Sequence, residues 1–167
     1  MPCPFFEPTE PFEEGRWPGA PELPLGAPHD GMCRASPDCQ QAAEHELRTL
    51  CNLGYAAGRC PRFRAGPEGD AVRFAVVAAG ESAVRVAWLR ERAHLPLGHG
   101  VLEYNIVDGA PMPADFPTGA LLEHQALAYV RVFLSRRQQV KAQGPLAAPV
   151  RARAAVRGKR AAKAGAG

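Results

Sequence analysis

The first 32 residues contain eight prolines and four glycines. Proline fixes φ and removes a backbone donor, so neither a helix nor a central strand is predicted in this segment. The segment also carries large apolar side chains, which a disordered linker seldom contains. They are Phe5, Phe6, Phe12, Trp17, Leu23 and Leu25. We therefore expect residues 1–32 to form an extended arm that wraps the body of the protein and buries these groups.

A short helix is predicted directly after the arm. Ser36 suits the N-cap, and Pro37 suits the first helical position. Apolar residues from Cys39 to Cys51 recur at helical spacing and form one stripe, which predicts that Cys39 lies on the buried face. Gly54 stands where a residue with left-handed φ would end such a helix.

Alternation of large apolar residues with smaller or polar ones predicts strands in the middle of the chain. These strands span Ala71–Ala79, Ala83–Glu91 and Val101–Val107. A loop of three or five residues centred on Glu81 would place Phe74 opposite Trp88 and Val76 opposite Val86. In the third strand, Leu102, Tyr104 and Ile106 are expected to point inward.

The strongest helical pattern runs from Thr118 to about Lys141, after a predicted loop from Asp108 to Pro117. Its apolar face is expected to contain Leu121, Leu122, Ala126, Ala128, Tyr129, Val132 and Phe133. Together these elements predict an α+β fold. We expect a small antiparallel sheet of about three strands, packed by a long C-terminal helix and a shorter Cys-bearing helix, with a Pro-rich N-terminal arm.

Charge divides the chain into two unequal parts. All 17 acidic residues lie before position 124, whereas positions 124–167 contain ten lysines and arginines and no acid. After Val150 the sequence consists mostly of Ala, Gly, Arg and Lys, which cannot bury enough surface to fold. We therefore predict three regions: an arm at 1–32 with Cys3, a body at 33–143 with Cys33, Cys51 and Cys60, and a disordered basic tail at 144–167.

The basic tail is expected to attract polyanions by counterion release, without sequence preference. Its charged residues are Arg151, Arg153, Arg157, Lys159, Arg160 and Lys163. Non-specific nucleic acid or an acidic protein is the predicted partner. No aromatic residue stands among these charges to stack on bases, so a solvated tail without a partner is the alternative.

The sequence also bears on the compartment. No apolar run approaches the ~20 residues needed to span a bilayer, so no membrane partner is expected. The first residues have neither a basic region nor an apolar stretch of the kind found in secretory signals. We therefore expect a cytoplasmic protein, in which cysteines stay reduced.

All five cysteines lie within the first 60 residues, and their positions differ in kind. Cys39 is explained by its place on the predicted helical stripe, as an inert buried thiol. Cys3, Cys33, Cys51 and Cys60 stand instead beside prolines, in loops or at a helix end, from which metal ligands are commonly presented. These four are the predicted cofactor and metal ligands, and inert thiols are the alternative.

The spacing of the four cysteines bears on which metal they hold. Structural zinc usually needs closely spaced C-x2–4-C pairs, and the chain has none. A [4Fe–4S] cluster is larger and accepts single thiolates from separate segments, and a proline follows a ligating cysteine in bacterial ferredoxins, as one follows Cys3 and Cys60 here. The sequence therefore favours a [4Fe–4S] protein in a redox or structural role. A zinc-stapled nucleic-acid or protein interaction module is the alternative.

A small enzyme is a third possibility. His94 and His99 flank a predicted loop, with Glu91 and Glu103 nearby, and such groups can ligate a metal or transfer protons. The chain contains no P-loop, no dinucleotide-binding glycine motif, no nucleophile elbow and no H-E-x-x-H motif. The sequence therefore names no reaction.

Overall fold

The computed structural model describes residues 1–108, 110–113 and 120–143. Two antiparallel sheets and one long helix make up this part of the chain. The first sheet contains β1 (Phe6–Pro11), β2 (His29–Cys33) and β3 (Gln40–Gln41), in that order. The second contains β4 (Ala71–Ala79), β5 (Ala83–Arg92), β6 (Leu95–Val107) and β7 (Ala110–Pro113), in that order. Helix α1 (Glu44–Glu46) continues into a π-helical turn (Leu47–Cys51), and α2 spans Ala120–Gln143. The mixed α and β composition is as predicted, but there are two sheets rather than one.

The Pro-rich arm contributes strands to the first sheet. The expectation that no central strand begins before residue 33 is wrong, because β2 lies between β1 and β3. Two of the arm's eight prolines, Pro8 and Pro11, lie in the edge strand β1, where Pro8 faces Gly31 and a missing N–H group is tolerated. A side chain at Gly31 would lie 2.2 Å from the Glu7 carbonyl oxygen, so glycine allows the two strands to approach. The arm also buries Leu25, as expected.

The short helix begins later than the sequence predicts. Residues 40–41 pair with β2 instead of entering a helix, and Cys39 precedes that strand, so its placement on a helical stripe is wrong. The chain turns helical only after Ala43, whose N–H donates to the Glu46 carboxylate at 2.9 Å. Strand pairing with β2 has overridden the local helical pattern. Gly54, with φ of +77°, follows the π-helical turn.

The second sheet matches the predicted register. Phe74 faces Trp88 and Val76 faces Val86, as expected. Two features differ from the prediction: β6 starts at Leu95 rather than residue 101, and β7 forms within the segment expected to be a loop. The hairpin between β5 and β6 closes through the two residues 93 and 94, both with positive φ, so most of the expected loop is strand.

Two hydrophobic cores lie side by side. One contains Phe6, Leu25, Leu47 and the cysteine region. The other lies between the second sheet and α2, whose Leu122, Ala126, Val130 and Leu134 are buried at four-residue spacing. Phe74 and Tyr129 pack against both cores, and their stacked rings have centroids 5.8 Å apart. Val130 and Leu134 were absent from the predicted apolar face.

The predicted basic tail, 144–167, lies outside the described residues, as do positions 114–119 between β7 and α2. Within the described ranges, no helix is long and apolar enough to cross a membrane.

Candidate metal centre

Four of the five cysteines line one small cavity, which we call the thiol cavity. Its cysteines are Cys3, Cys33, Cys51 and Cys60, and Cys39 is not among the residues that line it. Each of the four comes from a different segment: Cys3 precedes β1, Cys33 ends β2, Cys51 ends the π-helical turn, and Cys60 follows in a loop. The fold therefore brings together the four thiols that the sequence singled out.

Backbone hydrogen bonds fix these segments without any help from the thiols. The Cys3 N–H donates to the Cys51 carbonyl at 3.0 Å, and the Cys60 N–H donates to the Ala56 carbonyl at 2.8 Å. Cys33 lies opposite Phe6 in the first sheet. The positions of the four Cα atoms are thus set by the fold, and only side-chain rotation is left to adjust the sulfurs.

The lining of the thiol cavity is otherwise almost entirely apolar. It consists of Phe5, Phe6, Ala35, Leu50, Ala56, Phe63 and the side chain of Arg62. The Phe5 and Phe63 rings meet edge to face, with centroids 5.5 Å apart. Arg62 brings a positive charge to this lining, and its ion pair with Glu46 ties the Cys60 loop to α1. Among the described residues, no side chain with an oxygen or imidazole donor lines the cavity, so its donors are sulfurs, which suit zinc or iron–sulfur clusters.

Burial makes the two innermost thiols weak acids. It raises the pKa of Cys3 to about 12, and neighbouring Cys33 and Cys60 add to the effect, against a backbone hydrogen bond from Phe5 that favours the thiolate. Burial likewise raises the pKa of Cys51 to about 12, and Cys3 and Cys33 reinforce it. Both thiols are therefore protonated at neutral pH unless a positive ion shares the cavity.

We predict that the metal-free, reduced protein loses stability between about pH 9 and about pH 12. The unfolded chain gives up its thiol protons near its ordinary pKa of 9.0, while the folded chain keeps them to about 12. Above pH 9 the unfolded state binds fewer protons, so the free energy of unfolding must fall as pH rises. Urea unfolding across this range measures the slope. The double variant Cys3→Ala/Cys51→Ala should show a shallower slope, and equal slopes in the two proteins would contradict the prediction.

The thiols are near one another but do not form a site for a single ion. Among the residues the structure describes, no group of three or more His, Cys, Asp or Glu side chains is placed so that it could hold a metal ion. The thiol cavity measures about 10 Å³, enough for about one water molecule. Any metal or cluster therefore requires the surrounding side chains to move.

No family model, no curated protein and no solved structure matches this chain.

Gln125 of α2 holds the Cys3 segment from outside the thiol cavity. Its Nε2 donates to the Cys3 carbonyl at 2.8 Å and to the Phe6 carbonyl at 2.6 Å, and the side chain is buried. Its Oε1 is buried without a hydrogen-bond partner in the described structure. Gln125 was not predictable from the sequence pattern, because a glutamine inside a helical pattern is typical of a solvent-facing position. Its position between the bulky Leu122 and the small Ala126 and Ala128 was the only local signal.

We expect Gln125→Met to lower the free energy of unfolding by about 1–3 kcal/mol, because two buried carbonyls lose a donor. Gln138→Met is the matched control, since Gln138 is exposed on the same helix, and it should change stability by less than about 0.5 kcal/mol. Denaturant unfolding of the two variants measures the difference. Equal effects would show that Gln125 does not hold the Cys3 segment.

The two histidines of the enzyme hypothesis do not share a loop. His94 lies in the hairpin turn, where its ring is 4.6 Å from that of Tyr55, and the Tyr55 hydroxyl donates to Glu91 at 2.8 Å. His99 lies within β6 opposite Leu89. Five residues of strand separate their Cα atoms by roughly 15 Å. The prediction of one His94/His99 loop is therefore wrong, and Glu103 pairs with Arg85 instead.

Proposed function

We propose that this protein coordinates a [4Fe–4S] cluster through Cys3, Cys33, Cys51 and Cys60, in a redox or structural role. The observation that carries the proposal is the thiol cavity itself. Four thiols from four separate segments line one apolar cavity, and the fifth cysteine stands outside that lining. If the thiols were inert core residues, there would be no reason for four of the five to line the same cavity.

The donor set fits an iron–sulfur cluster in residue type and number. Four cysteine thiolates are the usual ligands of a [4Fe–4S] cluster, and hydrogen bonds to the sulfurs tune such sites. The backbone of Phe5 provides such a hydrogen bond to Cys3. Zinc is the second candidate, but the sequence lacks a C-x2–4-C pair, and no group of three or more potential ligands among the described residues is placed to hold a single ion. A cluster, which accepts single thiolates from separate segments, therefore suits these four ligands better.

Binding would change both the protonation and the packing of the cavity. Each of the four thiols would release its proton to solvent as its sulfur binds iron, so binding should be weaker at low pH. The thiols and the Phe5 and Phe63 rings must also move outward, because the cavity is only about 10 Å³. When bound, the cluster would supply one-electron chemistry or a cross-link between the four segments.

Anaerobic purification tests the proposal directly, with iron, sulfide and zinc measured on the same sample. We expect iron and sulfide in equal amounts and a broad absorption band at roughly 400 nm. A colourless protein that contains stoichiometric zinc would show that the four cysteines hold zinc and not a cluster. A protein that contains neither metal after attempted anaerobic reconstitution would show that all four thiols are inert core residues.

Limited proteolysis separates the structural role from the redox role. If the cluster is a cross-link, its removal should expose the first 60 residues to protease, whereas a purely redox cluster should leave them equally protected. Equal protease resistance with and without the cluster, together with a reversible reduction midpoint of the cluster, would indicate the redox role.

The charge asymmetry supports a second, independent proposal for residues 144–167: weak, non-specific binding to nucleic acid. Deleting these residues should reduce affinity for duplex DNA and RNA and flatten its salt dependence, because six cations are lost. A binding titration of intact and tail-deleted protein at two salt concentrations measures both quantities. Unchanged affinity after deletion, or no binding by either form at low salt, would rule the partnership out.

A further inference from the structure

A second cavity lies at the other end of the β1–β2 pair, and we call it the histidine cavity. It has a volume of about 400 Å³, within the ~300–1,000 Å³ typical of small-molecule sites. It is bounded by the end of β1, the start of β2 and one face of α2. Its residues are Thr9, Glu10, Pro11, Ala27, His29, Ala128, Arg131, Val132, Ser135, Arg136 and Gln139. None of the cysteines lines it, so it is separate from the thiol cavity.

His29 is the buried polar group of this cavity, with 2 % of its surface exposed. Its Nδ1 lies 2.9 Å from the Ala27 carbonyl oxygen, which can only accept, so Nδ1 carries the proton. The other ring nitrogen, Nε2, is then the one that can accept a hydrogen bond. It offers a lone pair, since burial lowers the pKa of His29 and keeps the ring neutral.

The fold fixes the backbone that carries this ring. The backbone N–H of His29 donates to the Asn52 Oδ1 at 3.0 Å, and the Asn52 Nδ2 donates back to the His29 carbonyl at 3.0 Å. Asn52 is itself buried and also donates to the Leu47 carbonyl. A buried polar side chain fixed in this way is the kind of preorganised group that gives a binding site its orientation.

Positive charge is contributed to the cavity lining by α2. Arg131 is exposed and has no carboxylate partner in the described residues, and the Arg136 guanidinium contacts only the Gly26 carbonyl. Among the described residues of the lining, Glu10 is the only acidic one, so the two arginines leave a net positive charge. Apolar side chains in the same lining come from Ala128, Val132 and Pro11.

We propose that the histidine cavity binds a small organic anion. Its carboxylate or phosphate group would pair with Arg131 and Arg136, an apolar body would lie along α2, and a hydroxyl or N–H group at the far end would donate to His29 Nε2. This proposal and the proposed cluster concern different cavities, so neither depends on the other.

The test uses defined probes. 4-Hydroxybenzoate and 3-hydroxybutyrate carry both an anion and a donor, benzoate lacks the donor, and 4-hydroxybenzyl alcohol lacks the anion. Binding is followed by NMR titration of the intact protein, with the backbone signals of Ser135 and Gln139 and the ring nitrogens of His29 as reporters. We expect saturable binding of at least one of the two hydroxy acids. If 4-hydroxybenzoate binds, benzoate and 4-hydroxybenzyl alcohol should bind at least about fivefold more weakly.

Two arginine variants give the matched control. Arg131→Gln should weaken binding of the hydroxy acid by about fivefold or more, because the charge-assisted contact of the arginine with the acid group is lost. Arg137→Gln removes the same charge from the same helix but outside the cavity lining, and should change affinity by less than about twofold. The proposal is overturned if neither hydroxy acid saturates, if both variants weaken binding equally, or if the ligand-free ring carries its proton on Nε2.

Discussion

Replacing Cys60 by serine should remove most of the iron and sulfide from the purified protein, whereas Cys39→Ser should leave both near the wild-type level. Cys60 lines the thiol cavity and Cys39 does not, although both side chains are partly exposed. A serine hydroxyl is a poor substitute for the soft thiolate that iron prefers. Iron, sulfide and the absorption spectrum of the two anaerobically prepared variants provide the comparison.

Cys39→Ser is a close control because it makes the same chemical change in the same region of the chain. Circular dichroism and thermal unfolding of both variants establish that each is folded before its metal content is compared. Equal loss of iron from the two would mean that the ligand set has been chosen wrongly. Full retention in Cys60→Ser would remove Cys60 from the set.

Gly54→Ala should destabilise the protein by about 3 kcal/mol and reduce its iron content. A Cβ at this position would lie 1.6 Å from the Met1 carbonyl oxygen, and φ is +77°. The N-terminal segment must therefore shift, and Cys3 lies only two residues beyond Met1. Chemical denaturation and iron analysis measure the two effects.

Gly58→Ala separates the collision from the backbone strain. Gly58 has a similar φ of +72°, but a Cβ there would meet nothing within 4 Å. We expect it to cost only the left-handed conformation, about 1–2 kcal/mol, and to retain iron. If both variants lose the same stability and the same iron, close packing of the Met1 segment on Gly54 is not what positions Cys3.

The sequence predicted β4, β5 and the approximate span of α2 because their signals are local, whereas β7 and the first half of β6 were expected to be loop. Alternation along β4 and β5, together with the short turn between them, was enough to pair Phe74 with Trp88. The first sheet escaped prediction because its pairing is not local and its composition argues against strands. Residues 6–8 pair with residues 31–33 across more than twenty intervening positions, and the prolines of β1 are tolerated only at an edge.

The sequence pattern separates Cys39 from the four predicted ligands for a partly mistaken reason. It places Cys39 on a helical stripe, as a buried thiol that needs no metal, yet Cys39 lies before β3 and not in a helix. The other four were chosen for their loops and helix ends, and the fold does place them around one cavity. Their supporting residues could not be found this way, since Gln125, Arg62 and Glu46 act through contacts that span many positions of the chain.

The hydrogen bond from Gln125 to the Cys3 carbonyl joins residues 122 positions apart, and it has a consequence for the order of assembly. Cys3 leaves the ribosome well before Gln125, which emerges only after both sheets have been synthesised. The final position of the Cys3 segment is therefore established after translation has passed α2, as expected for contacts of high sequence separation. A cofactor at the thiol cavity would accordingly be installed late, into a chain whose sheets are already formed.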